Sequence, residues 1–324
     1  MTTAKAPHVT GPVSFLGPHG TFTEVALKSL LPDADSVSAD SVISALDMVR
    51  TGAAVAAVVP IENSVEGSVS TTLDSLSSGE SLVITAEVSI PVRFALLVQP
   101  GTALSDVYAV ATHPHAQAQC LGWLRSQLPQ AKLIPATSTA DAAAVLAHMT
   151  NVLAGPFNAA IAQPLAAAHY GLDVVADNIG DNVEALTRFV MVQKSGSLPP
   201  STGADKTTLA VFMKQDHPGA LLEILTELAV RGVNMTRIES RPTRKAMGDY
   251  FFSIDCEGHI DDDRVREALM GLHRICGEVR FLGSYARDDG HAPLLRPGVL
   301  NADFDGAQVW LSNIRGGLNG EQGE

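Results

Sequence analysis

Cations are scarce in most of this chain. Residues 1–200 contain only eight Lys or Arg (Lys5, Lys28, Arg50, Arg93, Arg125, Lys132, Arg188 and Lys194), and the whole chain has a formal charge of −13. The basic face that a nucleic-acid partner needs is therefore missing, and an anionic membrane surface is disfavoured. Cysteine is sparse as well. Cys120, Cys256 and Cys276 form no Cys-x-x-Cys pair, which argues against a disulfide framework. No apolar stretch reaches the ~18 residues of a membrane span, and Met1–Pro12 has no apolar signal core. Together these absences point to the reducing cytoplasm. Aromatics are only 5%, and Ala and Val take their place in a chain that is 46% hydrophobic. Such a chain can build substantial cores, and 324 residues suggest two or three domains.

The first 195 residues alternate between strand and helix patterns, which predicts a parallel-rich α/β fold. Val13–Leu16 reads as a strand, followed by a Gly17-Pro18-His19-Gly20 turn and a helix over Thr21–Leu31. Ser41 caps a helix to Arg50, and Ala54–Pro60 is a strand apolar enough to be buried on both faces. Val69–Leu76 reads as a helix, then Leu82–Gln99 as a β-rich run interrupted at Pro91. Further strands are expected at Val107–Ala111, Lys132–Pro135, Ala159–Ala162 and Val174–Ala176. The Ala- and Leu-rich helices between them are Ala116–Leu128, Ala140–Met149 and Pro164–His169.

Two apolar segments resemble each other: Arg93-Phe94-Ala95-Leu96-Leu97-Val98-Gln99 and Arg188-Phe189-Val190-Met191-Val192-Gln193. They bracket a complete α/β unit, which suggests two lobes crossed twice by the chain with a cleft between them. After the Ser/Pro/Gly-rich linker 195–204 the pattern becomes β-α-β-β-α-β. Its elements are Thr207–Met213, Pro218–Val230, Met235–Arg241, Tyr250–Cys256 (joined through Arg244–Gly248), Asp262–Cys276 and Val279–Tyr285, a ferredoxin-like arrangement. A short helix over Ala302–Ile314 is expected in the tail, and disorder in its Gly-rich end.

Polar groups cluster at the ends of the predicted strands, where open α/β folds bind ligands. Pro60-Ile61-Glu62-Asn63-Ser64-Val65-Glu66-Gly67 follows one strand, and Thr112-His113-Pro114-His115-Ala116-Gln117-Ala118-Gln119 follows another. Thr187-Arg188-Phe189 opens a third. Leu16-Gly17-Pro18-His19-Gly20-Thr21-Phe22-Thr23-Glu24 lacks the spacing of a phosphate loop. There Thr21 and Glu24 have the spacing of a capping box. Two alternate histidines, His113 and His115, with no third ligand nearby make a poor metal site. A turn, a cap or an ordinary strand start accounts for each motif taken alone.

Taken in order, these segments resemble the prephenate dehydratase family. Phe15-Leu16-Gly17-Pro18-His19-Gly20-Thr21-Phe22, Pro60-Ile61-Glu62-Asn63-Ser64, Thr112-His113-Pro114-His115 and Thr187-Arg188-Phe189 are similar to successive catalytic-domain motifs. Gly219-Ala220-Leu221 and Glu239-Ser240-Arg241-Pro242 resemble the ACT regulatory domain that follows, in the manner of actinobacterial members.

The resemblance implies a two-lobed catalytic domain like type II periplasmic binding proteins at 13–194. One lobe would span about 13–91 plus 187–194 and the other about 92–186. A linker at 195–204, an ACT domain at 205–287 and a tail at 288–324 would follow, with a short N-terminal tail at 1–12. It implies conversion of prephenate to phenylpyruvate, with loss of carbon dioxide and hydroxide and no metal or redox cofactor. By resemblance Thr187, Glu62 and Asn63 are catalytic, and Ser64, Thr112, His113, Gln119, Arg188 and Phe189 line the substrate site. The family usually has Ser at the position of Thr112 and often Gln at that of His115, so the role of His115 stays open. Gly219, Ala220, Leu221, Asn234, Glu239 and Ser240 are the expected binding groups for phenylalanine as effector, between subunits of a homodimer or homotetramer. Arogenate dehydratase and a non-catalytic amino-acid sensor are the alternatives.

Overall fold

The computed structural model describes residues 9–150, 155–244 and 249–316. The expected disorder of the Gly-rich end falls on 317–324, and the centre of the turn at 244–248 falls on 245–248. Both lie outside the described residues, as does the start of the N-terminal tail. The chain divides into two compact units. The first holds residues 1–75 and 88–194, and the second holds 76–87 and 195–324.

Two sheets make the first unit. In one, the strands Ser36–Ala39, Val13–Leu16, Ala56–Asn63 and Leu186–Lys194 lie side by side in that order. The first three run parallel and the last is antiparallel to its neighbour. In the other, the order is Lys132–Pro135, Ala109–Thr112, Ala159–Ala162, Ala95–Val98 and Asp173–Ala176. Again three parallel strands are followed by an antiparallel one.

The two antiparallel strands are the two similar segments. Each carries the chain out of the other lobe and opens with an Arg-Phe pair whose ring, Phe94 or Phe189, is buried. Their likeness has a physical cause. Both must be apolar on two faces to sit inside a sheet, and both need a large ring to anchor the point where the chain enters it. The result is a two-lobed α/β architecture with one sheet to each lobe. Ser36–Ala39, a short Ser-rich edge strand, has no clear signature in the sequence.

The expected helix over Ala116–Leu128 is two helices, Pro114–Gln119 and Leu121–Gln127, parted at Cys120. The Asp181 carboxylate explains the break. It accepts hydrogen bonds from the Gly122 and Trp123 amides at 2.9 and 3.2 Å, which lets a new helix start there.

In the second unit the sheet order is Met235–Pro242, Tyr250–Glu257, Asp205–Phe212 and Glu278–Ala286, antiparallel throughout. The helices Ala220–Ala229 and Asp263–Ile275 lie on one face, over a core that includes Leu209, Val211, Ile224, Leu228, Ile254, Val265 and Leu272. This is the ferredoxin-like βαββαβ fold. A tail helix, Asn301–Arg315, follows it.

Candidate functional site

The strand Ala56–Asn63 is fully buried through Val59 and emerges at Glu62 and Asn63. A three-residue loop, Ser64 to Glu66, then folds the chain back into Gly67–Ser68. Asn63 builds this hairpin. Its Oδ1 accepts from the amides of Val65 and Glu66 at 2.8 and 3.0 Å. With Oδ1 occupied, Nδ2 is left to donate to the Thr187 hydroxyl at 2.8 Å. Ser64 ties the same hairpin to the crossing strand, since its Oγ accepts from the Leu186 amide and its own amide donates to the Leu186 carbonyl, both at 2.9 Å.

Thr187 lies directly opposite Asn63, and Arg188 opposite Glu62, but Phe189 lies opposite Pro60. Ile61 is thus an extra residue, a bulge of the kind that re-aims side chains beside functional sites. Arg188 donates to Glu62 at 3.3 Å with its side chain only 11% exposed, so much of its charge is met within the loop. Phe189 is buried in the sheet.

From the second lobe, Thr112 ends its strand fully buried, with its hydroxyl donating to the Ile161 carbonyl at 2.8 Å. His113 caps the helix Pro114–Gln119, its Nδ1 accepting from the His115 amide at 3.2 Å. Burial, reinforced by the neighbouring His115, holds the His113 pKa below the ordinary imidazole value, although Glu66 opposes this. A neutral ring whose Nδ1 accepts must carry its proton on Nε2, which makes Nε2 a donor. His115 Nδ1 lies 2.9 Å from Glu66 Oε2, and Gln119 Nε2 reaches Glu66 Oε1 at 3.4 Å. In the sequence, nothing distinguishes Glu66 beyond its place in a polar loop.

The Gly-rich turn joins the two lobes. Glu24 does not pair with Thr21 in a capping box. Its carboxylate accepts from the Gly20 amide at 2.6 Å and meets Lys28 and His19 at 2.9 and 3.2 Å. Gly20 has φ +81°, and a Cβ there would lie 3.1 Å from the Ala166 backbone of the other lobe. The Tyr170 hydroxyl donates to the His19 carbonyl at 2.9 Å, and Phe22 meets Phe94 edge-on.

Burial, with Asp181 alongside, pushes the Cys120 pKa up to about 12. Among the described residues no group of His, Cys, Asp and Glu is arranged to hold a metal ion. Nor is any helix among them long and apolar enough to cross a membrane.

In the second unit Gly219, at φ +95°, turns the chain into the helix Ala220–Ala229. Ala220 lines a cavity of about 180 Å³ with Lys214, His217, Glu223 and Cys276. Leu221 is partly exposed beside it. Asn234, Glu239 and Ser240 do not line this cavity. Asn234 accepts from the Glu257 amide through its carbonyl, and Glu239 and Ser240 lie on the edge strand Met235–Pro242. Of the six expected effector residues, Ala220 alone lines this cavity.

The family model described as "Prephenate dehydratase" matches residues 13–197, and that described as "ACT domain" matches 207–274. The prephenate dehydratase of Mycobacterium ulcerans is 45% identical over 315 residues, which cover 94% of this chain and 96% of that protein. Among solved structures, the prephenate dehydratase of Arthrobacter aurescens in complex with L-Phe is 49% identical with a TM-score of 0.89. That match covers 94% of this chain and 99% of the other. GqqA, described as a novel type of quorum quenching acylase, is 28% identical with a TM-score of 0.77, over 86% of this chain and all of that one.

Proposed function

The chain belongs to the prephenate dehydratase family and carries its activity, the decarboxylating dehydration of prephenate to phenylpyruvate, and we propose that Thr187 is the hydroxyl that meets the leaving group. The observation that supports this is the hydrogen bond from Asn63 Nδ2 to Thr187 Oγ1. It occupies a lone pair of the threonine oxygen and so turns the O–H proton away from Asn63.

In the reaction the bond from the ring to its carboxylate breaks, and carbon dioxide leaves. That electron pair completes the aromatic ring and expels the 4-hydroxyl. Aromatisation supplies the driving force, so the protein has to bind a dicarboxylate and assist the departure of hydroxide. A threonine is too weak an acid to give up its proton outright. It acts by donating a hydrogen bond to the departing oxygen, which leaves as hydroxide and takes its proton from solvent to become water. Assistance of this kind is typically worth about 10²–10⁴-fold.

The remaining residues divide by what their polar atoms already do. Asn63, His113 through Nε2–H, and Gln119 have donors for the substrate. Glu62 and Arg188 form a pair that holds the loop and sets the local charge. Ser64, Thr112 and Phe189 support the strands on which the others stand. The catalytic domain is 13–194, with lobes of about 13–91 plus 187–194 and 92–186. A linker at 195–204 leads to the ACT domain at 205–287 and the tail at 288–324.

L-phenylalanine is the effector, bound between subunits of a dimer or tetramer by Gly219, Ala220, Leu221, Asn234, Glu239 and Ser240, and it lowers activity. The enzyme works in the cytoplasm. Inhibition of this kind requires that phenylalanine prefer one of two conformations.

The test is direct. Purified protein incubated with prephenate should release phenylpyruvate, read by its absorbance, and faster than it consumes arogenate. Thr187→Ala should remain folded and lose about 10²–10⁴-fold in kcat, whereas Thr187→Ser should keep most of it. Turnover of folded Thr187→Ala near the unmutated rate would overturn the assignment. Calorimetry with L-phenylalanine should show binding that Asn234→Ala weakens, and absence of binding to the full chain would remove the effector reading.

A further inference from the structure

Glu66 is at the tip of a hairpin in one lobe, and its carboxylate meets two side chains of the other. His115 Nδ1 lies 2.9 Å from Oε2, and Gln119 Nε2 lies 3.4 Å from Oε1. His115 and Gln119 are four residues apart on the helix Pro114–Gln119, so they stand on one face and present two donors to one carboxylate. The tip is held from behind, because the Glu66 amide donates to Asn63 Oδ1 at 3.0 Å and the same Asn63 side chain holds Thr187. Ser64, two residues before Glu66, is fastened to Leu186 by two hydrogen bonds of 2.9 Å. A relay of short contacts thus runs from Thr187 through Asn63 to Glu66, and from there across the gap to the helix that carries Gln119.

We propose that Glu66 is a positioning residue that latches the two lobes together over the bound substrate, with His115 as its principal partner. This rests on the reading of the cleft as the site of prephenate turnover. The hairpin and the helix belong to different sheets, so the contact can exist only when the lobes are together. Closure brings Gln119 and His113 toward Thr187 and Asn63, which completes the set of polar groups around a ligand.

The latch is suited to opening again. Both partners are solvent-accessible, with side chains 36% and 66% exposed. Exposed ion pairs typically shift an equilibrium by only about two- to fivefold. The pair also solves a charge problem at the rim. A bare carboxylate there would repel a dianionic substrate, and donors from His115 and Gln119 engage its two oxygens. This gives His115 a function that the sequence left open.

The full-length enzyme tests the proposal through four variants: Glu66→Gln, His115→Gln, the double substitution, and the charge-exchanged pair Glu66→Lys with His115→Glu. Each single substitution should raise KM for prephenate about two- to fivefold and change kcat less, because a latch secures bound substrate without touching the reacting atoms. The double variant should match a single one. The exchanged pair should recover most of the loss. An unchanged KM in Glu66→Gln, or single effects that multiply in the double variant, would overturn the latch. So would a fall in kcat alone, which would mean that Glu66 only shapes the hairpin around Asn63. An unmutated protein that does not turn over prephenate would instead defeat the underlying assignment, so the two failures are distinguishable.

Discussion

Asn63 and Thr187 are 124 positions apart in the chain, yet they face each other across a strand pair, and the Asn63 amide donates to the Thr187 hydroxyl at 2.8 Å. The other end of the same amide is fixed by two backbone donors. Asn63 is therefore oriented unambiguously, and it orients Thr187 in turn.

An Asn63→Asp substitution isolates this orienting role. The carboxylate has nearly the same shape as the amide it replaces, and one oxygen can still accept from Val65 and Glu66 and so preserve the hairpin. Its second oxygen would face Thr187 as an acceptor, so the threonine proton would turn toward the new carboxylate instead of the substrate. We expect kcat to fall about 10- to 10³-fold, with KM changed less and the melting temperature nearly unchanged. Steady-state kinetics on the double variant with Thr187→Ala provide the check. The Asn63→Asp change should add little once the hydroxyl is gone, and an independent further loss would show that Asn63 does not act through Thr187.

Much of this arrangement can be read from residue order. The crossing strands at Arg93 and Arg188 are recognisable because a strand buried on both faces must be apolar throughout, and both are. Thr187 stands out at a strand mouth for the same reason. What cannot be read depends on partners distant in sequence. The kink at Cys120 comes from Asp181, which caps the second helix. Thr112 is at the end of its strand as expected, but whether its hydroxyl meets a ligand or the Ile161 carbonyl is decided by the neighbouring strand. Glu66 looks like one more polar loop residue, since its significance lies in His115 and Gln119 across the cleft. Local spacing also misleads at Thr21 and Glu24, where a cap pattern conceals a tertiary contact to Gly20.

Glu24 makes acid stability a test of that joint. Burial would raise its carboxyl pKa, but hydrogen bonds from the Gly20 amide, Lys28 and His19 outweigh burial and hold the pKa below the ordinary glutamate value. A carboxyl whose pKa is depressed by folding stabilises the native state above its unfolded value and loses that contribution as pH falls through the folded one. Melting temperatures of the unmutated protein and Glu24→Gln should therefore differ by a constant amount above about pH 5 and converge below about pH 4.5. A difference that stays constant down to about pH 3 would show that the carboxylate charge contributes nothing.

Lys206 and Glu87 pose a sharper energetic question, because both are buried. The Lys206 ammonium donates to both Glu87 oxygens at 2.9 Å, with side chains 11% and 3% exposed. Glu87 accepts a third hydrogen bond from the Asp288 amide at 3.1 Å. Replacing Lys206 with Met removes the ammonium that meets both oxygens of a buried carboxylate, and breaking a buried pair in this way typically costs about 3–5 kcal/mol. Replacing both, Glu87→Gln with Lys206→Met, removes the charge along with its partner and should cost much less than the single Lys206 change. Amide hydrogen exchange along the strand Asp205–Phe212 is the appropriate measurement, because it reports the second unit specifically. Protection there should drop by orders of magnitude in Lys206→Met and recover substantially in the double variant. Equal losses in the two variants would mean that packing around Lys206, rather than its charge, holds this part of the sheet together.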